Sequence, residues 1–250
     1  MNTPIYRYID KPSALDSLLK QIRDYPRIAI DTEADSSYHY FEKVCLIQLS
    51  AGGKNYIIDP LGALDLGGFF QTVAGKEIIF HGADYDLRLL RAGYDFYPRR
   101  GIFDTMLAAR ILGYRKLGLA SLADIFFGLK LSKGGQKFNW SKRPLPEDKL
   151  AYAAGDTRFL EELAGLLEEK LEERGRTEWH LQLCRDLVES TRTDRPGKDP
   201  DKIWRIKGWK DCDRKELAYL RGFWQWRERE ARKADRPPFK ILGNSRLLEL

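Results

Sequence analysis

The sequence is poor in the residues that build disulfide frameworks and soft-metal sites. Its 250 residues hold three cysteines and three histidines. Cys45, Cys184 and Cys212 are far apart and odd in number, so neither a disulfide framework nor a zinc-ligand spacing fits them. His39, His81 and His180 are equally scattered, which argues against a zinc site. A reducing, cytoplasmic location is the expectation. Long apolar runs are missing too. No segment approaches the roughly 18 consecutive apolar residues of a membrane helix, so no membrane partner is expected. The first residues, M-N-T-P-I-Y-R-Y-I-D, lack a basic stretch followed by an apolar core, and no signal peptide is expected. No internal repeat or low-complexity segment occurs.

What is present is an ordinary globular composition with uneven charge. The chain is long enough for one large core, or for one domain plus a small one. From Thr191 to Leu250 there are 17 Lys+Arg against 10 Asp+Glu, a net of +7. The preceding 190 residues carry 26 against 27, a net of −1. This asymmetry suggests a catalytic body followed by a basic module that meets nucleic acid. A merely soluble basic surface is the alternative.

Periodicity predicts the following order. Ile5 to Ile9 reads as a short strand and Ala14 to Ile22 as an amphipathic helix. The Ile28 strand follows, then a polar turn around Asp35 to Tyr40. Val44 to Leu49 and Asn55 to Asp59 read as an antiparallel hairpin with a slightly long loop. Leu66 to Ala74 is a helix and Glu77 to His81 a fourth core strand. Tyr85 to Ala92 is helical, Ile102-Phe103 one more short strand. Helices then start at Asp104 and Ser121. Lys130 to Pro146 lacks periodicity and reads as a long, functional loop. One long helix is expected from Pro146 to about Arg174, and another from Thr177 to Ser190. The pattern indicates an α/β fold, a mixed sheet covered by helices. Thr191 to Pro200, polar and proline-bearing, is the expected linker. It separates a domain over 1–190 from a small all-helical module over 201–250. That module is expected to hold helices at Trp204 to Trp209, at Arg214 to Ala231 and from Ile241.

One stretch organises the rest. Ile28 to Glu33 reads I-A-I-D-T-E. Three apolar residues run into two carboxylates, which predicts a buried strand. Side chains two apart on a strand point the same way, so Asp31 and Glu33 share a face. Like charges held there repel, and burying them is costly without a compensating positive charge. Magnesium or manganese, which favour carboxylate oxygen, are the expected compensation. A solvated strand end is the structural alternative. Asp86 lies just inside the helix after the fourth core strand, whereas Asp84, directly before it, reads as an N-cap. Asp156 follows Tyr152 by four residues on the long helix, so the two share a face. The small residues Ala153, Ala154 and Gly155 beside Asp156 let another backbone approach. Four carboxylates on three elements are what a two-metal phosphoryl-transfer site requires, with metals roughly 3.5–4 Å apart. Asp31 is best placed to bridge them, and Tyr152 to orient an attacking water.

These residues carry a resemblance. The chain resembles the RNase D group of the DEDD-type 3′-5′ exonucleases, in the subgroup with a tyrosine in its last motif. I-A-I-D-T-E holds Asp31 and Glu33 and is followed by C-L-I-Q-L, ending at Leu49. F-H-G-A-D-Y-D-L places the second-motif aspartate on Asp86. Y-A-A-G-D matches Tyr152 and Asp156. N-W-S-K-R-P-L, Asn139 to Leu145, is similar to the family's approach to its third motif. The resemblance covers about residues 1–185. It implies an RNase H-like fold, a mixed sheet of about five strands flanked by helices. It implies hydrolysis of phosphodiesters from the 3′ end to nucleoside 5′-monophosphates, in tRNA 3′ processing or RNA turnover, with two divalent cations, Mg2+ or Mn2+. Asp31, Glu33 and Asp156 would hold the first cation. Asp31 would bridge to the second, supported by Asp86, and Tyr152 would hold the nucleophilic water. Residues from Ile206 onward, I-K-G-W-K-D-C-D-R-K-E-L-A-Y-L-R and W-R-E-R-E-A-R-K-A-D-R-P-P-F, resemble the start of the helicase-and-RNase-D C-terminal (HRDC) domain.

Several residues are candidates for substrate contact. Thr32 follows the bridging ligand and can offer its backbone to the 3′-terminal nucleotide. His81 ends the fourth strand beside the site, with a structural role as the alternative. Lys133, Lys137 and Arg143 lie in the long loop and are placed for phosphates. Tyr38, Tyr40 and Phe41 are candidates to wedge against the terminal base. Trp204, Trp209, Phe223, Trp224 and Trp226 either stack bases or, as the favoured reading, build the module's core. RNA is the expected partner over DNA, and a monomer is expected. The competing readings are a 3′-5′ DNA exonuclease and an inactive nucleic-acid-binding protein on the same fold. The second should lack a carboxylate, and all four are present. A phosphatase with an aspartate nucleophile would want D-x-D, which D-T-E does not supply.

Overall fold

The apolar run at Ile28 folds as β2 (Arg27–Ala34), and the sheet is built around it. The computed structural model describes residues 6–131, 134–135, 138–192, 199 and 201–250. Before β2 come β1 (Arg7–Ile9) and α1 (Pro12–Ile22), the latter opened by a proline whose missing N–H costs nothing in a first turn. After it come β3 (Val44–Ala51), β4 (Lys54–Ile58), α2 (Gly67–Ala74), β5 (Glu77–Phe80), α3 (Asp84–Tyr94) and β6 (Ile102–Asp104). Helices α4 (Thr105–Ile111), α5 (Leu119–Phe127), α6 (Glu147–Thr157), α7 (Leu160–Glu173) and α8 (Thr177–Arg192) follow.

The sheet order is β1-β4-β3-β2-β5-β6. β2 and β4 pair antiparallel with β3, while β1 with β4, β2 with β5 and β5 with β6 are parallel. The sheet is therefore mixed and has six strands, one more than the resemblance implies, because the short β6 joins β5 as an edge. Alternation along the strands sorts two cores. Ile28, Ile30, Ile47, Leu49, Ile78 and Phe80 enter one with α1, α2 and α3. Ala29, Ile79 and Phe103 enter the other with α4 and α7. Fully burying each such aliphatic or aromatic side chain is worth about 1.5–3 kcal/mol over leaving it exposed.

Several local expectations are corrected. The β3–β4 loop is tight: Ala51 pairs with Lys54, and Gly52 and Gly53 take φ of 55° and 74°. Two-residue hairpin loops favour such left-handed glycines because their twist matches that of the strands. The long helix from Pro146 is two helices. Its apolar spacing runs on unbroken, but α6 packs on β3, β4 and β2 while α7 packs on β5, β2 and β3. The chain turns at Arg158-Phe159, after a fully buried Thr157 whose hydroxyl is 2.9 Å from that of Ser50. Asp84 is not the N-cap of α3. Ala83 holds that position, and Asp84 is the first helical residue, pairing with Arg88 Nε at 3.0 Å. α8 extends to Arg192, past the Ser190 expected.

The chain divides into two compact units, Met1–Ala34 with Val44–Arg192, and Asp35–Lys43 with Thr193–Leu250. The second holds a 3-10 turn (Trp209–Asp211), α9 (Arg214–Lys233), α10 (Pro238–Ile241) and α11 (Asn244–Glu249). The helix expected over Trp204 to Trp209 is instead irregular chain and turns, with Gly208 at φ 100° just before the 3-10 turn. α9 begins with a capping box: Asp213 accepts from the Lys215 and Glu216 N–H groups, and the Glu216 carboxylate accepts from Asp213 N–H. Trp204, Leu220 and Leu247 form its core, with Trp209, Phe223 and Trp224 packed around them. Trp226 is 42% exposed. The polar turn belongs to this unit through Asp235, which accepts from the N–H groups of Tyr40 and Phe41 at 3.1 Å each and sits 2.8 Å from His39 Nδ1. Among the described residues no helix is long and apolar enough to cross a membrane.

Candidate active site

β2 delivers two carboxylates to one face at its C-terminal end. Asp31 pairs across β3 with Gln48 and Glu33 with Leu46, so both follow the same alternation as Ala29, towards the side covered by α6 and α7. Asp156 comes from α6, on the helical face of Ala153, where burial against Cys45, Leu46, Ile57 and Trp140 fixes the helix. Tyr152 lies one turn earlier, and its hydroxyl donates to Asp156.

Thr32 alternates to the opposite face, where α3 packs. There its backbone N–H donates to Asp86 Oδ1 at 3.1 Å and its hydroxyl to the same oxygen at 2.5 Å. Asp86 is 7% exposed, in the first turn of α3, where the helix dipole favours negative charge.

The electrostatics are those of uncompensated like charges. Burial, then the charges of Asp86, Asp156 and Glu33, push the Asp31 carboxyl well above its ordinary range. Burial, then Asp156 and Asp86, push Glu33 up to about 8. Burial raises Asp156 to about 7 against the hydrogen bond from Tyr152. Burial likewise raises Asp86 to about 6, opposed by the hydrogen bonds from Thr32. The charges that act on Asp31, Glu33 and Asp86 are all negative. Burial and the neighbouring carboxylates also raise the Tyr152 phenol far above its usual value, so it stays neutral.

An all-oxygen set on three elements, short of positive charge, suits hard divalent cations. Among the described residues no three carboxylate, imidazole or thiol groups already gather round one metal-sized point. The four carboxylates share one field without converging.

The substrate candidates fare differently. The donors of Thr32 are taken by Asp86 rather than facing a nucleotide. Arg143 is corrected. Its Nε–H and one Nη2–H fork onto the two oxygens of Asp59 at 2.6 Å each, and the other Nη2–H reaches Cys45 O at 2.7 Å. Its Nη1 donates to the carbonyls of Trp140 and Lys142 at 2.7 and 2.8 Å. Five donors meet five protein acceptors, so no N–H remains for a phosphate. His81 is engaged at one ring nitrogen, while its Nε2 is buried with no hydrogen-bond partner among the described residues. Its Nδ1 is 2.9 Å from Thr105 Oγ1, whose hydroxyl donates to Phe80 O. Burial lowers its pKa, against the nearby Asp104, and keeps the ring neutral. Lys133 and Lys137 lie outside the described residues. Lys240 Nζ stands 4.0 Å from the centroid of the Tyr38 ring and Arg232 5.6 Å from that of Tyr40, while Phe41 is 59% exposed.

Three neighbours of the site were not anticipated. Gln48 is wholly buried beside Asp31 in the register. Its signal was a lone amide inside an apolar strand. Gly135 lies so close to Tyr152 that a Cβ there would stand 2.2 Å from the ring. Trp140 is 2% exposed, with its ring centroid 6.2 Å from that of Tyr152. These two lie in the segment that had shown no periodicity.

Residues 6–172 match the family model described as 3′-5′ exonuclease, and residues 216–250 match that of the HRDC domain. Ribonuclease D of Haemophilus influenzae is 34% identical over 242 residues, which cover 94% of this chain and 59% of that protein. The crystal structure of Escherichia coli RNase D, an exoribonuclease involved in structured RNA processing, aligns over 99% of this chain and 65% of its own, with a TM-score of 0.75 at 28% identity. The catalytic core of RRP6 from Trypanosoma brucei aligns over 97% of this chain and 68% of its own, with a TM-score of 0.83 at 27% identity. The chain spans about 60% of the length of the curated ribonuclease D relatives it matches.

Proposed function

Because this chain belongs to the 3′-5′ exonuclease family, we propose that it hydrolyses RNA from the 3′ end and releases nucleoside 5′-monophosphates. Processing or turnover of structured RNA such as tRNA is the proposed setting, in the cytoplasm, by a monomer. The observation that carries this reading is that Asp31, Glu33, Asp86 and Asp156, from three elements, repel one another within one buried field. Tyr152 joins them through Asp156. The ribonuclease D relatives favour RNA over DNA as the substrate.

Asp31, Glu33 and Asp156 are proposed to hold one divalent cation, Mg2+ or Mn2+, and Asp31 with Asp86 a second. Bound there, the pair would supply Lewis-acid charge at the phosphoryl oxygens and ease deprotonation of water. The chain's own residues then do three things. Thr32 fixes one oxygen of Asp86 through two hydrogen bonds. Asp156 accepts the Tyr152 hydrogen bond and so aims the phenol oxygen. The phenol positions a water rather than removing its proton, since its raised pKa keeps it protonated at neutral pH.

The test uses RNA and DNA of matched sequence, labelled at the 3′ or the 5′ end, with magnesium and with a chelator. Early release of a labelled 3′ mononucleotide from RNA, abolished by chelation, is expected. Asp31→Asn should remove activity and leave the fold intact. Undiminished magnesium-dependent hydrolysis in that variant would sink the mechanism, and equal digestion of DNA would overturn the RNA preference.

A further inference from the structure

The edge of the sheet opposite the carboxylates carries a second feature. β5 and β6 run parallel to β2, so their C-terminal ends share the edge with Asp31 and Glu33 and their N-terminal ends lie at the other. The four residues of β5 separate the two edges by about 13 Å. A cavity of about 410 Å3 opens at the far edge, between residues 97–102 and α8.

Its rim is cationic. Arg99, Arg100, Arg185 and Arg192 line it, against the carboxylates of Glu77 and Glu189. Both acids are engaged. Glu77 pairs with Arg27 Nε at 2.8 Å. Glu189 accepts from the Tyr97 hydroxyl at 2.8 Å and pairs with Arg192 at 3.4 Å. Arg99 reaches the carbonyl of Gln71. Among the described residues neither Arg100 nor Arg185 has an ion pair or a side-chain hydrogen bond. The Arg100 charge is also felt by Lys76, whose pKa is lowered first by burial and further by Arg100, against Asp24. The floor is apolar: Ile102, Cys184 and Val188 are each 5% exposed or less.

We propose that this cavity binds the phosphate ester of a nucleotide, remote from the carboxylate site. Guanidinium forks match phosphate oxygens in pairs, and two of them stand without a partner among the described residues. The volume falls in the range of roughly 300–1,000 Å3 typical of small-ligand sites and leaves room beyond a bare phosphate. The apolar floor suits the sugar or base attached to it. The ester has two sources, a free nucleoside monophosphate or a nucleotide within a bound RNA strand. The proposal does not depend on hydrolysis, because an inactive chain would keep the cavity.

The experiment measures binding by the whole chain in the presence of a chelator, which keeps RNA intact. Calorimetric titrations compare the parent with Arg100→Ala/Arg185→Ala and with the charge-keeping Arg100→Lys/Arg185→Lys pair. Three probes are used: 5′-AMP, a dinucleotide too short to reach both edges, and a longer oligoadenylate. If the cavity takes a free nucleotide, 5′-AMP binding saturates and falls at least about tenfold in the alanine pair, with most of it kept in the lysine pair. If it takes part of a strand, the longer RNA loses a similar factor while the dinucleotide is unaffected. Affinities for 5′-AMP and the longer RNA that are unchanged in a normally folded alanine pair would overturn the proposal. Inorganic phosphate is the control, and it should compete more weakly than 5′-AMP.

Discussion

Thr32 and Asp86 are joined twice through a single carboxylate oxygen, by the backbone N–H at 3.1 Å and by the hydroxyl at 2.5 Å. The contact ties the end of β2 to the first turn of α3 across the face of the sheet away from Asp31. Thr32→Val keeps the shape and removes the hydroxyl donor. Stability should fall by about 1–1.5 kcal/mol, the usual worth of one such bond. Turnover should fall with little change in KM, because the loss is in how Asp86 is aimed. Thr32→Ser should restore both. Steady-state kinetics and thermal unfolding of the two variants check this, and a change confined to KM would contradict it.

Gly135 and Tyr152 provide a second handle. A Cβ at residue 135 would lie 2.2 Å from Cδ1 and Cε1 of the Tyr152 ring, so the packing of the loop on the ring must change. Gly135→Ala should therefore lower turnover about as much as Tyr152→Phe, which removes the hydroxyl directly. The double variant should be no worse than the poorer single one, since both act through one group. Additive losses would show that the glycine acts elsewhere.

Arg143 and Asp59 bear on stability rather than on substrate. The side chain of Asp59 is 7% exposed and that of Arg143 26%. Burial alone would raise the Asp59 pKa, but hydrogen bonds from Arg143 and Tyr8 outweigh it and hold the group below its usual value. A carboxyl depressed in the folded state stabilises the protein at pH above its unfolded value, about 3.9, and loses that contribution as pH falls through its folded value. Asp59→Asn should thus cost about 2 kcal/mol or more at neutral pH, with the gap from the parent closing in acid. Arg143→Ala should destabilise similarly and leave the affinity for RNA unchanged at temperatures where it stays folded. Unfolding midpoints across pH and RNA binding measured side by side check this.

The parts of the molecule legible in the sequence are those set by local spacing. The alternation through Ile28 to Glu33 follows from a strand's period of two, and it placed Asp31 and Glu33 together. The four-residue step from Tyr152 to Asp156 follows from the helical turn. What was not legible depends on partners distant in the chain. The saturation of Arg143 is set by Asp59 and Cys45, which lie 84 and 98 residues away. The turn at Tyr40 is held by Asp235, 195 residues on. The break between α6 and α7 hides because Ala153, Ala154, Leu160 and Leu163 keep helical spacing through it. It falls where the packing shifts from β4 towards β5, which no local pattern encodes. Loop glycines such as Gly135 carry no periodic signal, and what crowds them is visible in three dimensions alone.

Gln48 tests whether a cost in stability is retained beside the site. Its side chain is wholly buried, and both its amide nitrogen and its oxygen lack a hydrogen-bond partner among the described residues. An unsatisfied buried polar group costs about 1–3 kcal/mol. The strand places it directly across from Asp31, under α6, among Leu46, Ile57 and Ala153. Gln48→Met keeps the length and volume and removes both polar atoms. Stability should rise by about 1 kcal/mol, seen as a higher unfolding midpoint. Activity should fall, because Asp31 then faces a neighbour that cannot support its hydration or its ligands. A more stable and fully active Gln48→Met protein would show that the amide has no role at the site. A less stable one would show that water or a shifted rotamer satisfies the amide.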